Sequence, residues 1–192
     1  MTTTAIEIAP NSALLVIDVQ KGFDEESFWG PRNNPAAEDN IAALMDAWQT
    51  AGRPVVLVRH ASVQPGSVLA ADHPGYAFKD LVEKRSEGVL VVTKTVNSAF
   101  YGTPDLADWL TAQGIGQLVL VGIQTNMCVE TTARMAGNLG YDVLVPLDAT
   151  HTFDLAGPVG LALTADELAT ATAVNLQGGG FARVVTTADL LS

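Results

Sequence analysis

The sequence predicts an α/β fold of three layers, with helices on both faces of a doubly wound, mainly parallel sheet of six strands. Three observations carry that expectation. Short runs of almost unbroken apolar residues recur along the chain, as in strands covered on both faces. Segments with helical spacing and recognisable caps separate them, which is the pattern of parallel strands joined by helical crossovers. At 192 residues with 48% hydrophobic content, the chain suffices for one domain, 1–192, with a substantial core.

The first strand is "ALLVIDV" at 13–19, apolar enough to be central. The stretch "NPAAEDNIAALMDAWQTAG" then places Asn34 as a cap and Pro35 at the first helical position. Ile41, Leu44, Met45 and Trp48 follow at helical spacing, and Gly52 is a stop. Further strands are "PVVLVR" at 54–59, "GVLVVTK" at 88–94, "QLVLVG" at 117–122, "YDVLVPL" at 141–147 and "ARVVTT" at 182–187. Thr103 with Pro104 and Asp105 opens one later helix, and Thr164 with Glu167 three residues on opens another. The connections 60–87 and 148–163 are long and irregular, as functional loops often are.

Charge narrows the partners. Ten basic against 21 acidic residues give a formal charge of −11, which argues against nucleic acid and anionic membranes. A small molecule is the expected partner. No 18-residue apolar run occurs, "MTTTAIEIAPNS" lacks the basic start of a signal peptide, and the single cysteine permits no internal disulfide, so a cytoplasmic location is expected.

In doubly wound folds, chemistry gathers beyond the carboxyl ends of the strands. There lie Asp18 in "VIDVQKGF", Lys94 in "VVTKTVNSAFYGT", and Cys128 in "GIQTNMCVETTARMAG". Each has an ordinary alternative: a loop-capping carboxylate, a solvated lysine, a cysteine acting as a small core hydrophobe. Their common placement favours chemistry. A thiol with a pKa of about 8.5 is mostly protonated at neutral pH, and its thiolate is the nucleophile. Asp18 can serve as base, Lys94 as the cation that favours thiolate, and the amides and dipole of a helix starting at Cys128 as a further anion stabiliser. On this reading an activated Cys128 reacts with iodoacetamide well below pH 8.5.

Three stretches, "LLVIDVQKGF", "KTVNSAFYGT" and "VLVGIQTNMCVETTARMAGNLGYDVLVPLDAT", resemble the isochorismatase-like cysteine hydrolases, which include nicotinamidases and N-carbamoylsarcosine amidase. The resemblance spans nearly the whole chain. It implies an Asp18–Lys94–Cys128 triad and a sheet of order 3-2-1-4-5-6. It further implies a non-proline cis peptide at Ile123–Gln124, with the amides of Gln124 and Cys128 as the oxyanion hole, and homodimers or homotetramers. Nicotinamidases carry an Asp-x-His pair and further histidines for a metal, whereas the second strand here ends "VRHASVQPGS". His60 therefore reads as a pocket wall or structural residue, His73 beside Asp72 is only a weak ligand pattern, and no metal or cofactor is expected. True isochorismatases cleave a vinyl ether and generally have another residue at the cysteine position, so Cys128 favours amidase chemistry.

The expected reaction is hydrolysis of an amide- or ureide-type C–N bond through a Cys128 thioester. Two alternatives stand beside it: vinyl ether hydrolysis with Asp18 as general acid, and a non-catalytic small-molecule binder on the same fold. Phe23, Trp29, His60, Asn97, Phe100 and Tyr101 are candidate pocket walls, with Phe28 and Phe153 in the same group of loops.

Overall fold

The computed structural model describes residues 6–192. Nine strands occur among them: β1 (Ala13–Ile17), β2 (Val55–His60), β3 (Leu90–Lys94), β4 (Gln117–Ile123), β5 (Asp142–Pro146), β6 (Thr150–His151), β7 (Leu155–Ala156), β8 (Ala162–Leu163) and β9 (Arg183–Val185). Seven helices accompany them: α1 (Glu26–Trp29), α2 (Ala37–Thr50), α3 (Asp80–Glu83), α4 (Leu106–Ala112), α5 (Glu130–Asn138), α6 (Ala165–Gly178) and α7 (Thr187–Leu191). None of these helices is long and apolar enough to cross a membrane.

The main sheet runs β3-β2-β1-β4-β5-β9, all parallel, with the short β6 alongside the end of β4. This is the expected order, with β9 as the sixth strand. Alternate β1 residues serve opposite faces. Ala13, Leu15 and Ile17 join Leu106 and Leu110 of α4, Ala133 and Ala136 of α5, and Leu176 of α6. Leu14 and Val16 join Ile41, Leu44, Met45 and Trp48 of α2, with Leu190 of α7. Every β1 residue is buried because both faces are covered, which explains its unbroken apolar run.

Two helix starts differ from expectation. Helix α2 begins at Ala37, with Ala36 rather than Asn34 in the cap position. Asn34 has φ 46° and donates from Nδ2 to the carbonyls of Asp148 and Thr150 at 2.9 and 2.7 Å, so its side chain ties two loops together instead of capping the helix. At α4 the cap is Asp105, whose carboxylate accepts from the Asp108 amide at 2.9 Å, and not Thr103, whose backbone pairs with Thr93. The Thr164–Glu167 capping box of α6 forms as expected. Within 148–163 the chain adds β6 and the two-residue hairpin strands β7 and β8, too short to leave a periodic signal.

At the carboxyl end of β4, Gly122 is pressed against β1. Its φ is +123°, and a β-carbon there would lie 2.0 Å from the Ile17 carbonyl oxygen. Only glycine fits. Gly122→Ala is therefore expected to lose about 3 kcal/mol or more in denaturant unfolding, because backbone strain and a backbone clash act together. Gly116→Ala, into open space, is expected to stay within about 0.5 kcal/mol. Equal effects at the two sites would contradict this packing.

Candidate active site

Four neighbouring strands each deliver one group to the same point. β1 stops at Ile17, and Asp18 turns out of the sheet with φ 52° while its amide still donates to the Val58 carbonyl at 2.9 Å. His60 and Lys94 end β2 and β3 in register with each other. β4 runs through Gly122 and Ile123 into a wide π-helical turn, Thr125–Val129, that holds Cys128 and leads directly into α5. The Ile123–Gln124 peptide bond is cis. In the turn, the Gln124 carbonyl accepts from the amides of Met127 and Val129 at 3.1 and 3.2 Å.

Lys94 is the hub. Its Nζ donates to Asp18 Oδ2 at 2.6 Å and to Cys128 Sγ at 3.3 Å, and it lies 3.2 Å from His60 Nδ1. An ammonium has three hydrogens, and these partners use all three, provided that His60 is the Nε2–H tautomer. The side chains of Lys94 and Asp18 are fully excluded from solvent. Burial opposes the Lys94 charge, but the Asp18 carboxylate and the Cys128 sulfur outweigh it and raise its pKa. His60 is pushed down by burial and then by the Lys94 charge, so it is neutral at pH 7.

The thiol behaves differently from the sequence expectation. Burial pushes the Cys128 pKa up, the Asp18 carboxylate adds to this, and Lys94 only partly offsets it. The resting group is therefore the thiol, not a preformed thiolate. Asp18 Oδ1 is buried with no hydrogen-bond partner, and a carboxylate oxygen of Asp18 lies within 4.8 Å of Sγ. An acceptor for the thiol proton is thus at hand.

Among the described residues, one cluster of potential ligands has metal-site spacing: Asp18, His60 and Cys128. The Lys94 ammonium already contacts all three, so a cation occupies the centre of that set. His73 has another task, because its Nδ1 accepts from the Gly75 amide at 2.9 Å and caps a turn.

Above this cluster opens a cavity of about 370 Å³. Asp18 and Cys128 line it, as do four of the expected wall residues, Phe23, Trp29, His60 and Asn97, together with Phe28 and Gln124. Asn97 Oδ1 lies 3.9 Å from Sγ. Phe100 and Tyr101 do not reach the cavity. The turn Ala99–Tyr101 sends Phe100 into the core, where it stacks on Tyr141 at 5.9 Å, and leaves Tyr101 69% exposed. Phe153 stands behind the wall and stacks on Trp29 at 5.4 Å.

Sequence reasoning missed Ser62, Gln64, Ser67 and Leu69 in the loop after β2, Thr95 after β3, and Leu155 of β7. It also missed Gln20, a buried residue that clamps the end of β2. Its Oε1 accepts from the His60 amide at 2.8 Å and its Nε2 donates to the His60 carbonyl at 3.1 Å. A glutamine two residues past the strand-end aspartate was the available signal.

The sequence and the fold both resemble those of known proteins. The family model described as "Isochorismatase domain" matches residues 12–189. The isochorismatase family protein YrdC of Bacillus subtilis is 42% identical over 143 residues, 74% of this chain and 75% of its own. Nicotinamidase 3 of Arabidopsis thaliana is 32% identical over 194 residues, 92% of this chain and 86% of its own. A crystal structure of an isochorismatase-family protein from Chromobacterium violaceum superposes with TM-score 0.92 at 41% identity, covering 99% of this chain and 97% of that one. With its fold, strand order and sequence all in agreement, the chain belongs to the isochorismatase family of hydrolases.

Proposed function

We propose that the protein hydrolyses a C–N bond of a small carboxamide or ureide through a thioester on Cys128. The observation that carries this reading is a buried thiol at the floor of a cavity, beside a carboxylate with one unpartnered oxygen. A non-covalent hydrolase has no use for that thiol. The amidase name of the Arabidopsis relative supports the same bond class.

The steps follow from the charges. Sγ attacks the substrate carbonyl carbon while its proton passes to Asp18, so the anion forms only as the S–C bond forms. Lys94 keeps its proton: it balances the Asp18 carboxylate at rest and the negative charge that builds on sulfur while the proton is leaving, and the full charge ends on the substrate oxygen. The oxyanion is received by the amides of Gln124, just before the turn, and Cys128, within it. On collapse the C–N bond breaks and Asp18 returns the proton to the leaving nitrogen. Water then attacks the thioester, Asp18 takes its proton, the acid leaves, and sulfur is reprotonated.

Cys128→Ala and Cys128→Ser are expected to lower kcat by about 1,000-fold or more while the unfolding midpoint shifts little, because the side chain is small and both replacements fit. Full activity in Cys128→Ala would refute covalent catalysis. Asp18→Asn, checked for folding by circular dichroism, is expected to lose about 10²- to 10⁴-fold in kcat. The same change is expected to make Cys128 react faster with iodoacetamide at pH 7, because the carboxylate that raises the thiol pKa is gone. In the wild type, alkylation is expected to be slow at pH 7 and to climb only as pH rises towards the elevated thiol pKa. Unchanged or slower alkylation in Asp18→Asn would contradict the charge coupling.

A further inference from the structure

The cavity states what sort of molecule it accepts. Among the described residues, no lysine or arginine lines it, and the one charged side chain on its surface, Asp18, is already balanced by Lys94. With His60 as the Nε2–H tautomer, Lys94 has no hydrogen left for a substrate group, since Asp18, His60 and Cys128 use all three.

Three cations near the site are held by acids. Lys79 is held by Asp24 and Glu38 at 2.5 and 2.6 Å, Arg32 by Glu38 at 2.5 Å, and Lys21 by Asp80 at 2.9 Å. Arg59 pairs with no acid among the described residues and its Nε is buried without a hydrogen-bond partner, but its guanidinium lies over the rings of Tyr76 and Phe78, at 4.4 and 5.1 Å, and it is not on the cavity lining. The loop "FDEESFW" that brings Phe23, Phe28 and Trp29 to the cavity also carries three exposed acids, Asp24, Glu25 and Glu26. With a chain charge of −11, the approach to the site is unfavourable to anions.

What remains is a lining of aromatic and uncharged polar groups around the balanced Asp18. The aromatic rings are packed on one another: Trp29 lies 4.9 Å from Phe23 and 4.8 Å from Phe28, and its indole N–H donates to the Gly22 carbonyl at 2.8 Å. Ser62, Gln64, Thr95 and Asn97 are uncharged polar residues on the lining. The volume, about 370 Å³, lies near the low end of the ~300–1,000 Å³ typical of ligand pockets.

From this lining we infer that the substrate is a small uncharged carboxamide or ureide with a flat apolar body, and that molecules carrying a second, anionic group are rejected. The inference rests on the acyl-transfer reading for the reacting bond and on the lining alone for the rest. It disfavours a carboxylate-bearing vinyl ether such as isochorismate, whose acid groups would find no cation.

Three size-related probes test it: benzamide, the 4-carbamoylbenzoate anion, and its neutral methyl ester. Turnover is measured on the wild type. Binding is measured on Cys128→Ala by quenching of tryptophan fluorescence, with Trp29→Phe identifying the signal from the cavity. Both neutral probes are expected to exceed the anion by about 100-fold or more, because a carboxylate desolvated without a partner is strongly disfavoured. Gln64→Arg is expected to narrow that gap by restoring affinity for the anion alone. Equal or preferential use of the anion would overturn the charge inference and leave the thioester mechanism standing. Neutral binding without turnover would uphold the inference and count against the acyl-transfer reading. Binding of none of the three would overturn it.

Discussion

Everything at the candidate site depends on one buried ion pair, Lys94 with Asp18, both side chains fully withdrawn from water. Such a pair is seldom a source of stability, since desolvation consumes most of the Coulombic gain. Its role is to fix charge in place. The pair holds only because sheet order 3-2-1-4 sets the ends of four consecutive strands side by side. Lys94 reaches across the end of β2, contacts His60 on the way, and meets Asp18 from β1 and Cys128 from β4. Gly122 lets β4 approach β1 closely enough for the last of these contacts.

The pair also acts on the protonation state of the nucleophile. A lone cation beside Cys128 would favour thiolate, but burial opposes the anion most strongly, the Asp18 carboxylate adds to this, and Lys94 only partly offsets the two. In the proposed reaction the thiol stays protonated until it meets the carbonyl, with Asp18 beside it as the base. Catalysis on this arrangement depends on the position of thiol and base, not on a thiol already ionised at rest. The cavity above it follows the same logic, with loops that place neutral and aromatic groups around a centre whose charges are already matched.

Much of this was legible in the sequence, and for definite reasons. Strands covered on both faces must be continuously apolar, so β1 and β4 stood out, and Asp18 and Lys94 were visible as the polar residues that end such runs. Cys128 was visible because a single thiol follows a strand end within a few residues. The misses share a cause. Asn34 looks like a cap, yet its carboxamide is used on loops more than 100 residues away, a tertiary contact without local signature. Phe100 and Tyr101 follow Asn97 in one segment, but a tight turn points them to the core and to solvent respectively. Ser62 and Gln64 lie in irregular chain and Leu155 in a two-residue strand, so no periodicity marks which of these side chains face a cavity.

The central claim is that Cys128 carries the acyl group of the substrate during turnover. Rapid acid quench of a single turnover, followed by intact mass and peptide mapping, tests it most directly. The account predicts a transient adduct of acyl mass on the peptide containing Cys128, formed no more slowly than product appears and absent in Cys128→Ala. Product formed in a full single turnover while Cys128 stays unmodified at every time point, or an adduct on any other residue, would contradict it.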